Sequence, residues 1–279
     1  MGKVYDALRK AEEQRSRRSH EAVELGSGAL ERAAPAEPSV FERLRESAAS
    51  AAPLGGADAH NKRRIVMLQP ESVVAEQFRS LRARIDALAA MRPLRTIAVT
   101  SALPGEGKTM AAISLAAVSA MQLGAKVALV ECDLREPTIA ASLGLRPDAG
   151  LAEVLADGAT LEQAIQRAPG TQLDVLPVRG VPPNPSELLA SERMRSVLES
   201  LATRYERVIL DLPSTLGLPD AKTVSGLCDG TVFVVRADAT PGAEIEAALE
   251  VLGRERLLGV VMNATDLVPQ GYGKYTQRA

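Results

Sequence analysis

The sequence predicts a doubly wound α/β domain with a mainly parallel sheet, and three observations lead there. After Pro93, short β-branched apolar runs alternate with stretches of helical period. The runs are almost wholly apolar instead of alternating, as strands covered by helices on both faces must be. The first of them leads through a glycine-bearing loop directly into Lys-Thr and a helix. In that arrangement backbone N–H groups and a helix N-terminus face phosphate.

Composition narrows the chemistry. The 279 residues are 46% hydrophobic and 24% charged, with no Trp, three Phe and four Tyr, so Ala, Val and Leu must build the core. Both histidines, His20 and His60, precede the first expected strand, which argues against an imidazole base or a histidine metal site in the main domain. Cys132 and Cys228 lie far apart and suggest neither a disulfide framework nor a zinc knuckle. The net charge of −2 gives no footprint for nucleic acid. No apolar leader precedes a small-residue cleavage site, and the 17-residue uncharged run from Thr109 to Ala125 is shorter than a membrane span of about 20 residues.

Taken in order, residues 1–61 are rich in Ala and poor in large apolar side chains, which predicts a mobile, locally helical arm and linker. Between Glu71 and Leu88, Val74, Phe78, Leu81, Ile85 and Leu88 recur at helical spacing and predict an amphipathic helix. TIAVT, VALVE, LDVLPV, RVILDLP, TVFVVRA and LLGVVMNA read as strands. Ile113, Ala116, Ala117 and Ala120 mark one intervening helix. Met194, Val197, Leu198 and Leu201 mark another, expected to start from Asn184 as cap, with Pro185 first and Glu187 completing a capping box.

Ligands of such a sheet bind at the carboxyl ends of its strands. There stands SALPGEGKTM, in which Pro104, Gly105, Glu106, Gly107, Lys108, Thr109 and Met110 form the expected phosphate loop. Lys108 would neutralise the β and γ phosphates and the Thr109 hydroxyl would ligate Mg²⁺. Ala102 occupies the first glycine position of the strict pattern. Two other strands end in acids, Glu131 with Asp133 after the second and Asp211 after a later one. Carboxylates at strand ends suit a hard cation held partly through water.

On these residues the chain resembles the bacterial tyrosine autokinases of exopolysaccharide and capsule production, relatives of the MinD and ParA ATPases. The resemblance runs from about Val66 to the C-terminus. SALPGEGKT resembles the Walker A loop, VALVECDLREP the second acidic motif, VILDLP the Walker B strand, and LLGVVMNATD the last strand. GLAEVLADGATLEQAI and PPNPSELLASERM resemble further kinase-domain segments.

The resemblance implies ATP and Mg²⁺ as cofactors and transfer in trans to C-terminal tyrosines, here Tyr272 and Tyr275. It implies Asp133 and Asp211 as magnesium residues, Glu131 as the acceptor of the phenolic proton, Arg135 as a residue orienting phosphate or the acids, and Asn263 as an adenine contact. Glu76, Arg79 and Arg82 match the element that joins family members into a ring-like homo-oligomer; pairing within the helix is the simpler alternative. The implied organisation is an arm (1–61), an oligomerisation helix region (62–92), a P-loop kinase domain (93–268) and a tyrosine-bearing tail (269–279). Implied partners are a separate membrane activator or polysaccharide co-polymerase, further copies of the chain and a cognate tyrosine phosphatase, with no nucleic acid. The implied location is the cytoplasm, at the inner face of the membrane through a partner. Two alternatives stand beside the kinase: a MinD or ParA-like ATPase switch, from which Leu103 departs at the signature-lysine position, and a nucleotide-binding adaptor without kinase activity.

Overall fold

The computed structural model describes residues 63–265, so the expectations for residues 1–61 and for Tyr272 and Tyr275 lie outside the described residues. The described chain opens with α1 (Ile65–Leu68) and α2 (Val73–Ala89). Ser72 caps α2 by accepting the Ala75 N–H at 3.2 Å. Then come β1 (Thr96–Ser101), α3 (Lys108–Ala120), β2 (Val127–Glu131), α4 (Ile139–Leu143), α5 (Leu151–Leu155) and α6 (Leu161–Ala164). The two-residue β3 (Gln166–Arg167) and β4 (Leu173–Leu176) precede α7 (Pro185–Leu189), α8 (Glu192–Arg204) and β5 (Arg207–Asp211). The order closes with α9 (Asp220–Ser225), β6 (Gly230–Arg236), α10 (Gly242–Leu252) and β7 (Leu257–Asn263).

All six expected strands form, joined in the order β3-β4-β2-β5-β1-β6-β7. Every pairing is parallel except β3 on β4. The short edge strand was invisible in the sequence because Gln-Arg carries no apolar signal. The central strands β1, β2 and β5 are buried almost throughout, as parallel strands under two helical layers must be. One layer holds α3 with α1 and α2 beneath it, where Ile113, Leu115 and Val118 meet Ile97, Val99 and Leu129. The other holds α5, α7, α8 and α9, where Leu151, Leu189, Met194 and Val224 meet Val130, Val208 and Leu210. Residues 109–120 of the uncharged run are thus the body of the largely buried helix α3, and the remainder is the exposed turn after it; among the described residues no helix is long and apolar enough to cross a membrane.

The apolar stripe of α2 belongs to this core. Phe78 and Ile85 are buried with Val66 against α3, each burial worth roughly 1.5–3 kcal/mol. Phe78→Ala is therefore expected to cost about 3–5 kcal/mol, read as a lower midpoint in urea denaturation. A loss under about 1 kcal/mol would contradict this packing.

One expected helix divides in two. The side chain of Asn184 makes no capping bond. Instead α7 ends at Leu189, and Ser191 starts α8 by accepting the Met194 N–H at 3.2 Å.

Candidate active site

β1 delivers the loop and α3 receives it. Gly105 and Gly107 have φ of 79° and 94°, a left-handed backbone that side chains resist. At Gly107 a Cβ would also lie 2.0 Å from the Asn263 amide nitrogen, so two constraints demand glycine there. Glu106, which reads as a loop acid, is buried. Its carboxylate accepts the Leu103 N–H at 2.7 Å and the Thr240 hydroxyl, fixing the loop's curvature from within and from the β6–α10 connection. Pro104 and Gly105 form its more open side, and Met110 lies in the first turn of α3 beside Ser114.

The strand order then brings the acids in. β5 lies between β1 and β2, and its register sets Asp211 across from Val99 on one side and Glu131 on the other. Lys108, first in α3, donates to Asp133 Oδ2 at 2.8 Å. Burial pulls the Lys108 ammonium down, but the carboxylates of Asp211 and Asp133 outweigh it and hold its pKa above the ordinary value. Asp211 is pushed up by burial to about 6, against the pull of the Lys108 charge and a hydrogen bond from the Thr109 hydroxyl.

These residues fit Mg²⁺. Asp211 Oδ1 is buried without a hydrogen-bond partner, beside a hydroxyl that already bonds the same carboxylate. No cluster of three His, Cys, Asp or Glu side chains able to hold a metal occurs among the described residues. Mg²⁺ does not require one, because it keeps waters and takes one or two carboxylates together with substrate phosphates.

Three expected residues are held by contacts within the fold. Glu131 is fully buried. Its Oε1 accepts the N–H groups of Thr138 at 2.5 Å and Ile139 at 2.6 Å, and its Oε2 that of Val178 at 2.9 Å. Burial pushes it up to about 7 against these three bonds. With both oxygens on backbone, Glu131 staples the loop after β2 to α4 and to the end of β4; the geometry offers it no approach to a phenolic proton. Asn263 faces the loop, its amide donating to the Glu106 carbonyl at 2.8 Å. Arg135 turns toward Asp220 and Ser186. On α2, Glu76 pairs with Arg79, and Arg82 donates to the Val118 carbonyl at 2.6 Å, favourable at the negative end of α3.

Sequence reasoning placed Glu106 in the loop but not its inward turn, and it missed Thr240, Ser186 and Asp220. It also missed Arg63, which donates to Ser142 at 3.3 Å and lies near enough to favour the charge on Asp211. Of the four tyrosines, Tyr205 is described: its hydroxyl donates to Asp174 at 3.0 Å, and burial with that carboxylate pushes it up to about 12, a packing role.

A phosphate loop opening a buried helix, its lysine on a strand-end acid and a second acid on the neighbouring strand, defines a P-loop protein of nucleotide-dependent phosphoryl transfer. No protein-family model matches the chain. It is 37% identical over 214 residues to the tyrosine-protein kinase YwqD of Bacillus subtilis, covering 76% of this chain and 90% of YwqD. It is 34% identical over 218 residues to the succinoglycan biosynthesis transport protein ExoP of Rhizobium meliloti, covering 76% of this chain and 27% of ExoP. The solved kinase domain of Escherichia coli tyrosine kinase ETK superposes with a TM-score of 0.62 at 32% identity, over 71% of this chain and 80% of that one. The chain belongs to the bacterial tyrosine kinases.

Proposed function

We propose that the chain transfers the γ-phosphoryl group of ATP to tyrosine hydroxyls, those of Tyr272 and Tyr275 in a neighbouring copy among them. The observation that carries this reading is the meeting of Lys108, Thr109, Asp133 and Asp211 at adjoining strand ends, in a chain similar to tyrosine kinases. The loop amides and Lys108 hold the phosphates. Thr109 and Asp211 are the residues to hold Mg²⁺, with Asp133 reaching it through water; when bound, it neutralises charge on the transferring group.

A tyrosine hydroxyl has a pKa near 10 and must lose its proton as its oxygen bonds to phosphorus and the bridging bond to ADP breaks. With Glu131 enclosed, Asp133 is the carboxylate placed to receive that proton. Its Oδ2 is held by Lys108 at 2.8 Å and its Oδ1 accepts the Glu136 N–H at 3.1 Å, so its direction is fixed. Leu103, where a MinD-like switch has its lysine, brings an apolar side chain that packs on the core and a backbone N–H to Glu106, which favours the kinase over the switch.

The similarity to ExoP, named for succinoglycan biosynthesis transport, supports a role in exopolysaccharide production or export. We place the chain in the cytoplasm at the inner face of the membrane, held by a membrane activator and opposed by a tyrosine phosphatase. Copies of the chain would join through the α2 face that carries Glu76 and Arg79. Replacing Tyr272 and Tyr275 together by Phe is expected to remove most phosphotyrosine formed with Mg-ATP, read by immunoblot and mass spectrometry. Undiminished labelling would place the acceptors elsewhere.

A further inference from the structure

Segments following the carboxyl ends of three strands, one loop and two helices, close on one guanidinium. Arg135, from the loop after β2, donates through Nε to Asp220 Oδ2 at 3.0 Å and through Nη2 to Ser186 Oγ at 2.8 Å. The Ser186 hydroxyl donates to Asp220 Oδ1 at 2.6 Å. Ser186 follows β4 in α7, and Asp220 follows β5 as the first residue of α9. The Asp220 side chain is 2% exposed while that of Arg135 is 39% exposed. A buried carboxylate is costly to desolvate, and an ion pair of this kind adds little net stability. What it does supply is direction: the planar fork of arginine is fixed by two acceptors, and Nη1 takes no part in these bonds.

The direction is informative. α3, which carries Lys108, packs on one face of the sheet, whereas α7 and α9 pack on the other. Lys108 and Arg135 therefore approach the strand ends from opposite faces, with Asp133 between them in sequence and bonded to Lys108. In-line phosphoryl transfer needs leaving and attacking oxygens on opposite sides of phosphorus. If Lys108 and the loop take the nucleotide side, Arg135 marks the side from which the acceptor enters.

Building on the kinase reading above, we propose that Asp220 and Ser186 are positioning residues that fix Arg135 as the cation of the acceptor side of the site. Arg135 there meets the phosphoryl group as charge spreads over its oxygens, and the phosphotyrosine product once formed. Asp220 and Ser186 touch neither substrate and act through Arg135 alone.

The test uses the full-length chain with Mg-ATP and measures phosphotyrosine formation, nucleotide affinity and thermal midpoint. Arg135→Ala is expected to lower the rate about 100-fold, Asp220→Asn about tenfold and Ser186→Ala about threefold, the scale on which small misplacements act. Nucleotide affinity should stay within about twofold in each, since these residues lie off the nucleotide side. Arg135→Lys should resemble Arg135→Ala because an ammonium lacks the fork. In the Arg135→Ala background, Asp220→Asn and Ser186→Ala should each have no further effect, the signature of residues acting through one group. Equal losses in both backgrounds, or losses tracking nucleotide affinity, would overturn the proposal. If Asp220→Asn lowers the thermal midpoint too far to assay, Ser186→Ala carries the same comparison. A wild-type chain that forms no phosphotyrosine would overturn the kinase reading itself, whereas an active wild type with additive losses overturns the positioning role alone.

Discussion

Replacing Lys108 by Ala is expected to lower phosphotyrosine formation by about 10³-fold or more, the scale of losing a preorganised charge at the transferring group. The consequence reaches beyond the phosphates. Lys108 holds the charges of Asp133 and Asp211, one by a 2.8 Å bond and the other through space. Without it, two buried carboxylates face each other unpaired, and breaking a buried pair by removing one partner costs about 3–5 kcal/mol. The variant should therefore melt earlier than wild type at pH 8 and recover part of the difference at pH 5, where Asp211, pushed up to about 6 by burial, takes up a proton. Activity retained within tenfold, with an unchanged melting midpoint, would show that Lys108 is not the cation of this site.

Asp211→Asn should separate activity from stability in the opposite sense. Asp211 is raised from an ordinary value of 3.8 to about 6 in the fold, by burial above all. The folded chain therefore binds the proton more tightly than the unfolded chain. Its contribution to stability is greatest below the unfolded value, falls as pH rises through 3.8 to 6, and above that the buried charge weighs fully against the fold. That weight is on the order of 2–3 kcal/mol, because each tenfold gain in proton affinity corresponds to about 1.4 kcal/mol. An uncharged Asn still accepts the Thr109 hydroxyl without the burial cost of a carboxylate. The nucleotide-free variant should thus be more stable than wild type at pH 8, with little gain near pH 4, while phosphoryl transfer falls at least about 100-fold. Scanning calorimetry at the two pH values checks the first part and phosphotyrosine formation the second. A variant destabilised at pH 8 would contradict the cost assigned to this carboxylate.

Much of this arrangement was legible from the residues. The six main strands were visible because parallel strands under two layers must be continuously apolar, and the loop because only glycine tolerates its backbone before Lys-Thr. Lys108 and Asp211 could be read because strand order sends every strand-end acid to one edge of the sheet.

What could not be read depends on which way a side chain turns. An acid ending a strand looks the same whether it faces a substrate, as Asp133 does in our reading, or three backbone N–H groups, as Glu131 does. Asn263 ends its strand as an adenine contact would, but the bond of its amide to the loop carbonyl gives no signal in the sequence. The capping pattern at Asn184 was genuine in composition, but Ser191 competed for the same helix and broke it. Asp220 and Ser186 give no local signal, since their partner Arg135 is 85 and 51 residues away.

The kinase reading stands or falls on one assay. The purified full-length chain, incubated with Mg-ATP and with a membrane activator fragment supplied, is probed for phosphotyrosine against the same chain carrying Lys108→Ala. Phosphotyrosine that depends on Lys108, with ATP converted to ADP in step, is the expected result. Nucleotide bound or hydrolysed with no phosphotyrosine formed would contradict it and leave a nucleotide-binding protein of the same fold without kinase activity.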